Sequence, residues 1–173
     1  FGQCHTITPL PQAASRLQAR RSATDDQHAL WRELYQRLKP RVQAGACAEY
    51  LEGFERLALP VDHIPSVDEL NEQISPRVGW TVERTDVRYS DAVAWYTKFN
   101  QRIFIITDYM RSWEEIDWTP EPDMFHDIFG HVPLLANPVF ADFMEAYGKG
   151  GNRALELGQL KNLARLYWYT VEF

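Results

Sequence analysis

The sequence predicts a mainly α fold with a small β component. Three observations carry this expectation. Leu30, Leu34 and Leu38 recur every fourth residue with Trp31 and Tyr35 beside them, the repeat of one helical face. Two short stretches, Trp80–Arg84 and Arg102–Thr107, have the β-branched and aromatic character of strands. From Asp123 onward the pattern is again helical.

The elements follow in order. Residues 1–21 carry Pro9, Pro11 and scattered arginines without a period, so an irregular N-terminal arm is expected there. Residues 22–173 then form one domain. The first helix should begin at Thr24 or Asp25, with acids in its first turn, and Pro40 should end or kink it. A second helix places Cys47, Tyr50, Leu51, Phe54 and Leu57 on one face. Pro60 and Pro65 bracket a turn. Ser66 and Glu69 have the spacing of a capping box, which opens a third short helix. Ser90 can cap a helix through Tyr96 between the two strands. Beyond them come a segment from Asp123 to Gly130, a helix opened by Pro138 that closes near Gly148, and a last helix over 162–173.

Composition narrows the function classes. The chain has 173 residues, 45% of them hydrophobic, and a net charge of −6. A negative balance argues against a partner that is nucleic acid or an anionic membrane. No apolar run reaches the roughly 18 residues of a membrane span. Cys4 and Cys47 show no paired spacing and read as reduced thiols, with a cytoplasmic location as the default. The chain starts at Phe1 rather than Met and ends in the apolar run Tyr167–Phe173, so we expect a piece of a longer protein.

The densest chemical signal is the stretch Thr119-Pro120-Glu121-Pro122-Asp123-Met124-Phe125-His126-Asp127-Ile128-Phe129-Gly130-His131-Val132-Pro133. Imidazole is a common metal ligand. On a straight α-helix, however, residues five apart point about 140° away from each other and cannot share an ion. Gly130 can end the helix and let His131 swing back. Alone, this pair reads more readily as two ordinary core or surface histidines. Glu172 adds a carboxylate inside an apolar run, which is costly to bury unless paired or metal-bound. Two histidines and one carboxylate form the ligand set of non-haem Fe(II) oxygenases. The competing reading of Glu172 is an ion pair with Arg165 or Lys161.

Residues 119–133 together with Ala164–Phe173 resemble the pterin-dependent aromatic amino acid hydroxylases, and most of all the bacterial phenylalanine 4-hydroxylases. The stretches Leu134–Phe143 and Asp62-His63-Ile64-Pro65 are similar too. The likeness is strong over residues 60–173 and looser over 22–59. It implies a hydroxylase catalytic domain truncated at its C-terminus. It further implies ring hydroxylation of an aromatic amino acid with O2, a tetrahydropterin such as tetrahydrobiopterin, and Fe(II). Carried over by position, His126, His131 and Glu172 would hold the iron. Arg111 would take the substrate carboxylate, where a guanidinium can make two parallel hydrogen bonds; an ion pair with Glu114 or Glu115 is its alternative. Thr119 and Pro122 would line the same pocket, and Trp168 would stack on the substrate ring. On the pterin side the resemblance points to Trp95, Tyr96, Asp127 and Tyr167. Trp168 also favours phenylalanine over tryptophan as substrate. The partners implied are small molecules, and a monomer is expected. Two other readings stay open: a zinc hydrolase using the same ligands, and a fragment of the hydroxylase that binds no metal.

Overall fold

A computed structural model describes the backbone of residues 10–86 and 92–172, with side chains from residue 24 onward. Two five-residue strands, β1 (Thr81–Thr85) and β2 (Ile103–Thr107), pair in parallel, Val82 opposite Phe104 and Arg84 opposite Ile106. A parallel pair needs a crossover rather than a tight turn. Helix α4 (Ala92–Asn100) supplies it. The expected capping residue Ser90 lies outside the described residues.

Before the sheet come α1 (Leu10–Gly45), α2 (Ala48–Leu57) and α3 (Val67–Val78). The expected start of α1 at Thr24 is corrected. Residues 1–9 of the expected arm lie outside the described residues, and from Leu10 the backbone is already helical. Pro11 falls in the first turn, where a missing N–H is tolerated. Ala13, Ala14, Arg16, Leu17 and Gln18 all favour helix. Nor does Pro40 end α1, which continues to Gly45 with Val42 packed on the core. One proline removes one hydrogen bond, and packing of the last turn outweighs that loss.

Helix α2 buries Tyr50, Phe54 and Leu57, as its pattern predicts. Cys47 departs from the expected face. It precedes the first turn in extended conformation, and its thiol is free and exposed. In α3 the capping box is complete: Ser66 Oγ accepts from the Glu69 N–H at 3.2 Å and Glu69 Oε2 from the Ser66 N–H at 2.7 Å.

After β2 the chain reaches a π turn over His126–His131, then α5 (Val132–Leu135), α6 (Pro138–Glu156) and α7 (Leu160–Thr170). Helix α6 runs past Gly148, where the sequence suggested an end. Its glycines mark a close approach instead. A Cβ on Gly148 would stand 2.6 Å from the backbone nitrogen of Asn100, and one on Gly151 only 2.1 Å from Tyr96 Cγ. Helix α4 therefore lies directly against the backbone of α6. No helix of the described residues is long and apolar enough to cross a membrane.

Trp31, Leu70, Ile74, Trp80 and Phe99 are fully buried. A stack of rings joins α1 and α2 to the histidine segment: Trp31 meets Phe125 at 5.0 Å, Phe125 meets Phe129 at 4.9 Å, and Phe54 meets Phe129 at 5.3 Å between centroids.

Two predictions come from this packing. Gly151→Ala forces a methyl into the Tyr96 ring and should destabilise the fold by about 1–3 kcal/mol in urea unfolding, the usual cost of overpacking. Glu69 is held at a pKa of about 2 by its hydrogen bonds to Ser66 and His63. Its contribution should be complete above the ordinary carboxylate range and fade as pH falls from about 4.5 toward 2. Glu69→Gln should flatten that part of the stability-against-pH curve.

Candidate metal centre

Local backbone geometry decides whether His126 and His131 can meet. Gly130 does not end the helix as expected. The chain widens into a π turn across all six residues from His126 to His131. Such a turn is closed by i→i+5 bonds, so residues five apart come to lie over one another. The two Nε2 atoms stand 3.0 Å apart.

Glu172 arrives from the other end of the fold. It follows the last turn of α7, where its N–H donates to the carbonyl of Tyr167 at 3.2 Å. Its Oε1 lies 3.1 Å from His126 Nε2 and its Oε2 lies 3.3 Å from His131 Nε2. The Arg165 or Lys161 pairing is thus not the one adopted. Burial raises the pKa of Glu172, but the hydrogen bonds to both imidazoles outweigh it and hold the carboxyl at about 2. For His126 burial opposes the charged form, and the bond to Glu172 prevails and raises its pKa. Among the described residues, these three form the one cluster of histidine, cysteine and carboxylate donors close enough to share an ion.

The cluster lies at the wall of a cavity of about 430 Å³. Six of the other residues singled out from the sequence also line it: Trp95, Tyr96, Pro122, Asp127, Tyr167 and Trp168. Trp95 meets the Tyr167 ring edge-on at 4.7 Å. Tyr96 is buried, its hydroxyl 3.2 Å from that of Tyr147. Trp168 is half exposed. Asp127 Oδ2 accepts from the Thr107 N–H at 2.8 Å, and burial pushes its carboxyl up to about 6.

Two expected residues stand apart from this wall. Arg111 and Thr119 do not line the cavity. The Arg111 fork is taken by Asp123, Nε to Oδ2 at 2.8 Å and Nη2 to Oδ1 at 2.8 Å, rather than by Glu114 or Glu115. The Thr119 hydroxyl donates to the carbonyl of Glu121 at 2.9 Å.

Reading by motif missed Asp123, which is fully buried. Besides Arg111 it accepts from the backbone N–H of His126 at 3.0 Å, so it fixes the entry to the histidine turn. Burial alone would raise its pKa, and the bonds from Arg111 and the two backbone N–H groups bring it below the ordinary value. Thr85 and Thr107, at the carboxyl ends of the parallel strands, were also missed as cavity walls. Strand ends of this kind commonly face ligand sites, which is the signal that could have found them.

Residues 17–173 match the family described as biopterin-dependent aromatic amino acid hydroxylase. The phenylalanine-4-hydroxylase of Chromobacterium violaceum is 46% identical over 164 residues, which cover 95% of this chain and 53% of that protein. The phenylalanine-4-hydroxylase of Caulobacter vibrioides is also 46% identical, over 87% of this chain and 51% of its own. The chain spans about half the length of the curated relatives it matches. Among solved structures, the Chromobacterium violaceum enzyme with iron and phenylalanine superposes with a TM-score of 0.78 at 47% identity, over 87% of this chain and 53% of that one. The form with iron(III) and 7,8-dihydrobiopterin gives 0.81 at 47% identity, over 86% and 54%. The cobalt-bound form gives 0.82 at 46%, over 86% and 53%.

Asp123→Ala would leave the Arg111 guanidinium and two backbone N–H groups without their acceptor. Removing one partner of a buried pair is strongly destabilising, so a loss of about 3–5 kcal/mol is expected in urea unfolding.

Proposed function

We propose, starting from the fact that this chain belongs to the family of biopterin-dependent aromatic amino acid hydroxylases, that it carries the iron site of a phenylalanine 4-monooxygenase. The observation that carries this reading is the convergence of His126, His131 and Glu172 on one point beside a cavity. The donor set fits the ion. Two imidazole nitrogens and a carboxylate oxygen lie within 4.8 Å of one another. Once the imidazoles give up the protons they share with Glu172, all three turn lone pairs toward one point, which a shared cation would fill. Their nature suits non-haem Fe(II), and three ligands on one side leave the other side open. Bound there, the iron supplies the activation of O2 by the tetrahydropterin co-substrate.

The protein's own part is binding, orientation and exclusion of water. Trp168 and Pro122 form an apolar wall for the phenylalanine ring beside the metal ligands. Trp95 offers a flat face to the pterin, with Tyr96 and Tyr167 lining the same cavity. Asp127, fixed through the Thr107 N–H, meets the pterin through water. Arg111 presents to the substrate carboxylate the guanidinium edge that Asp123 does not occupy, since an arginine carries five N–H donors. Thr119, which like Arg111 stands outside the cavity lining, is assigned to the same end by the family resemblance. Holding ring and oxidant together turns an encounter into a unimolecular step.

The same three ligands can in principle hold zinc, as in a hydrolase. The iron and pterin bound by the Chromobacterium violaceum relative favour the oxygenase. We place the protein in phenylalanine catabolism, as a cytoplasmic monomer acting on small molecules.

Anaerobic titration of the chain with Fe(II) should show one equivalent bound. His126→Ala and Glu172→Ala should each weaken that binding by at least about tenfold, the scale on which altered ligand shells act. Stripping the ion with a chelator should lower the melting temperature by about 5–10 °C, given roughly 2.7 kcal/mol at a hundredfold excess over Kd. Failure of the chain to bind Fe(II) would remove the reading.

A further inference from the structure

The π turn needs a cause, since the same six residues would otherwise continue as an α-helix with the histidines pointing apart. Pro133 supplies it. It stands four residues after Phe129 and has no N–H to offer that carbonyl, and its ring would collide with the carbonyl of residue i−4. The helix therefore cannot close on an α bond at this point. Breaks in the i→i−4 ladder of this kind are where helices depart from regular geometry.

The carbonyl that Pro133 leaves without its α-helical donor is buried with Phe129. A hydroxyl from another helix reaches it: Tyr50 of α2 donates to Phe129 O. Tyr50 is itself buried, its ring stacked at 5.9 Å on Phe54, and burial pushes the phenol well above its ordinary pKa, so it stays a donor. One turn further along α2, Gly53 lies against the other side of the same junction. A Cβ there would stand 1.8 Å from the Pro133 carbonyl oxygen, so only glycine lets α2 approach this closely. Helix α2 thus touches the histidine segment twice, in the widened turn by a hydrogen bond and at Pro133 just beyond it by bare backbone.

We infer that Tyr50 is a positioning residue for the metal centre: with Pro133 it holds the turn in the widened form that aligns His126 with His131. The inference rests on the iron-site reading above. Tyr50 meets neither histidine ring nor the cavity. Its effect passes through the Phe129 carbonyl, inside the turn and two residues before His131. A tyrosine that merely filled the core would contribute through its ring alone. Here the hydroxyl carries the function, and it acts on ligand geometry.

Co(II) alone serves as the probe, since its visible absorption reports ligand geometry independently of turnover. Tyr50→Phe keeps the ring and removes the donor. It should weaken Co(II) binding by about tenfold or more, as loss of groups that orient metal ligands does, and shift the visible bands. Ser75→Ala deletes a bond of the same kind far from the site, from the Ser75 hydroxyl to the Trp80 carbonyl at 2.8 Å, and should change neither. Pro133→Ala restores the missing N–H and lets the turn close as an α-helix. It should weaken Co(II) binding at least as much while leaving resistance to urea equal or higher, a combination that general damage does not produce. Should Tyr50→Phe fail to fold, Pro133→Ala decides alone. Unchanged affinity and bands in either folded variant, with the wild-type chain binding Co(II), would overturn the inference and leave the iron-site reading intact. A wild-type chain that binds no Co(II) would overturn both.

Discussion

A turn one residue too wide is the constraint on which the rest of this site depends. Ring directions about 140° apart on an α-helix cannot meet at one ion. In the widened turn the two Nε2 atoms are 3.0 Å apart. That geometry is locally unfavourable, because π hydrogen bonding is rare and appears mostly as single turns. Tertiary packing offsets it. Phe125 just before the turn and Phe129 within it stack on each other, with Trp31, Tyr35 and Phe54 closing around them. Each such ring pair contributes about 0.5–1.5 kcal/mol beyond its buried area. The helices α1 and α2 thus form the mould in which the ligand segment sets.

Charge is handled by the same logic of pairing. Asp123 and Glu172 both sit in largely apolar surroundings, and a buried carboxylate without partners would be very costly. Asp123 solves this inside the protein, with Arg111 and two backbone N–H groups. Among the described residues, the Glu172 carboxylate pairs with the two imidazoles, which satisfy it when they carry protons. The first carboxylate is complete without a ligand. The second is arranged so that a cation and the histidine protons compete for the same place. The two acids look alike in composition, and their surroundings give them opposite roles.

Much of this was legible in the sequence, and the exceptions have specific reasons. The capping box of α3, the two strands, the buried face of α2 and the three metal-ligand candidates depend on local spacing or on a motif, and local spacing is what a sequence displays. The extent of α6 past Gly148 was not legible, because glycine at a helix end and glycine at a helix contact look the same until Tyr96 and Phe99 are seen against it. The partner of Arg111 was missed for a similar reason. Glu114 and Glu115 are near in sequence, whereas Asp123 lies twelve residues away and meets the arginine only after the chain turns back. The π turn could have been read from Pro133 and Phe129, but only by asking where each carbonyl finds its donor rather than which residues are apolar.

The arrangement of α4, α6 and α7 ties the ligand set to the cavity wall. Gly148 and Gly151 let α4 settle onto α6, and this brings Trp95 to the Tyr167 ring. Tyr147 of α6 then donates to the Leu163 carbonyl at 2.7 Å and fixes α7 alongside. Tyr167 and Trp168 on that helix face the cavity, and Glu172 follows within two residues of its end. A displacement of α7 therefore moves the carboxylate and the aromatic wall together. The carboxylate and the aromatic wall cannot be adjusted separately in this fold, because one short helix, held by the Tyr147 hydrogen bond from its neighbour, carries Tyr167 and Trp168 and leads into Glu172.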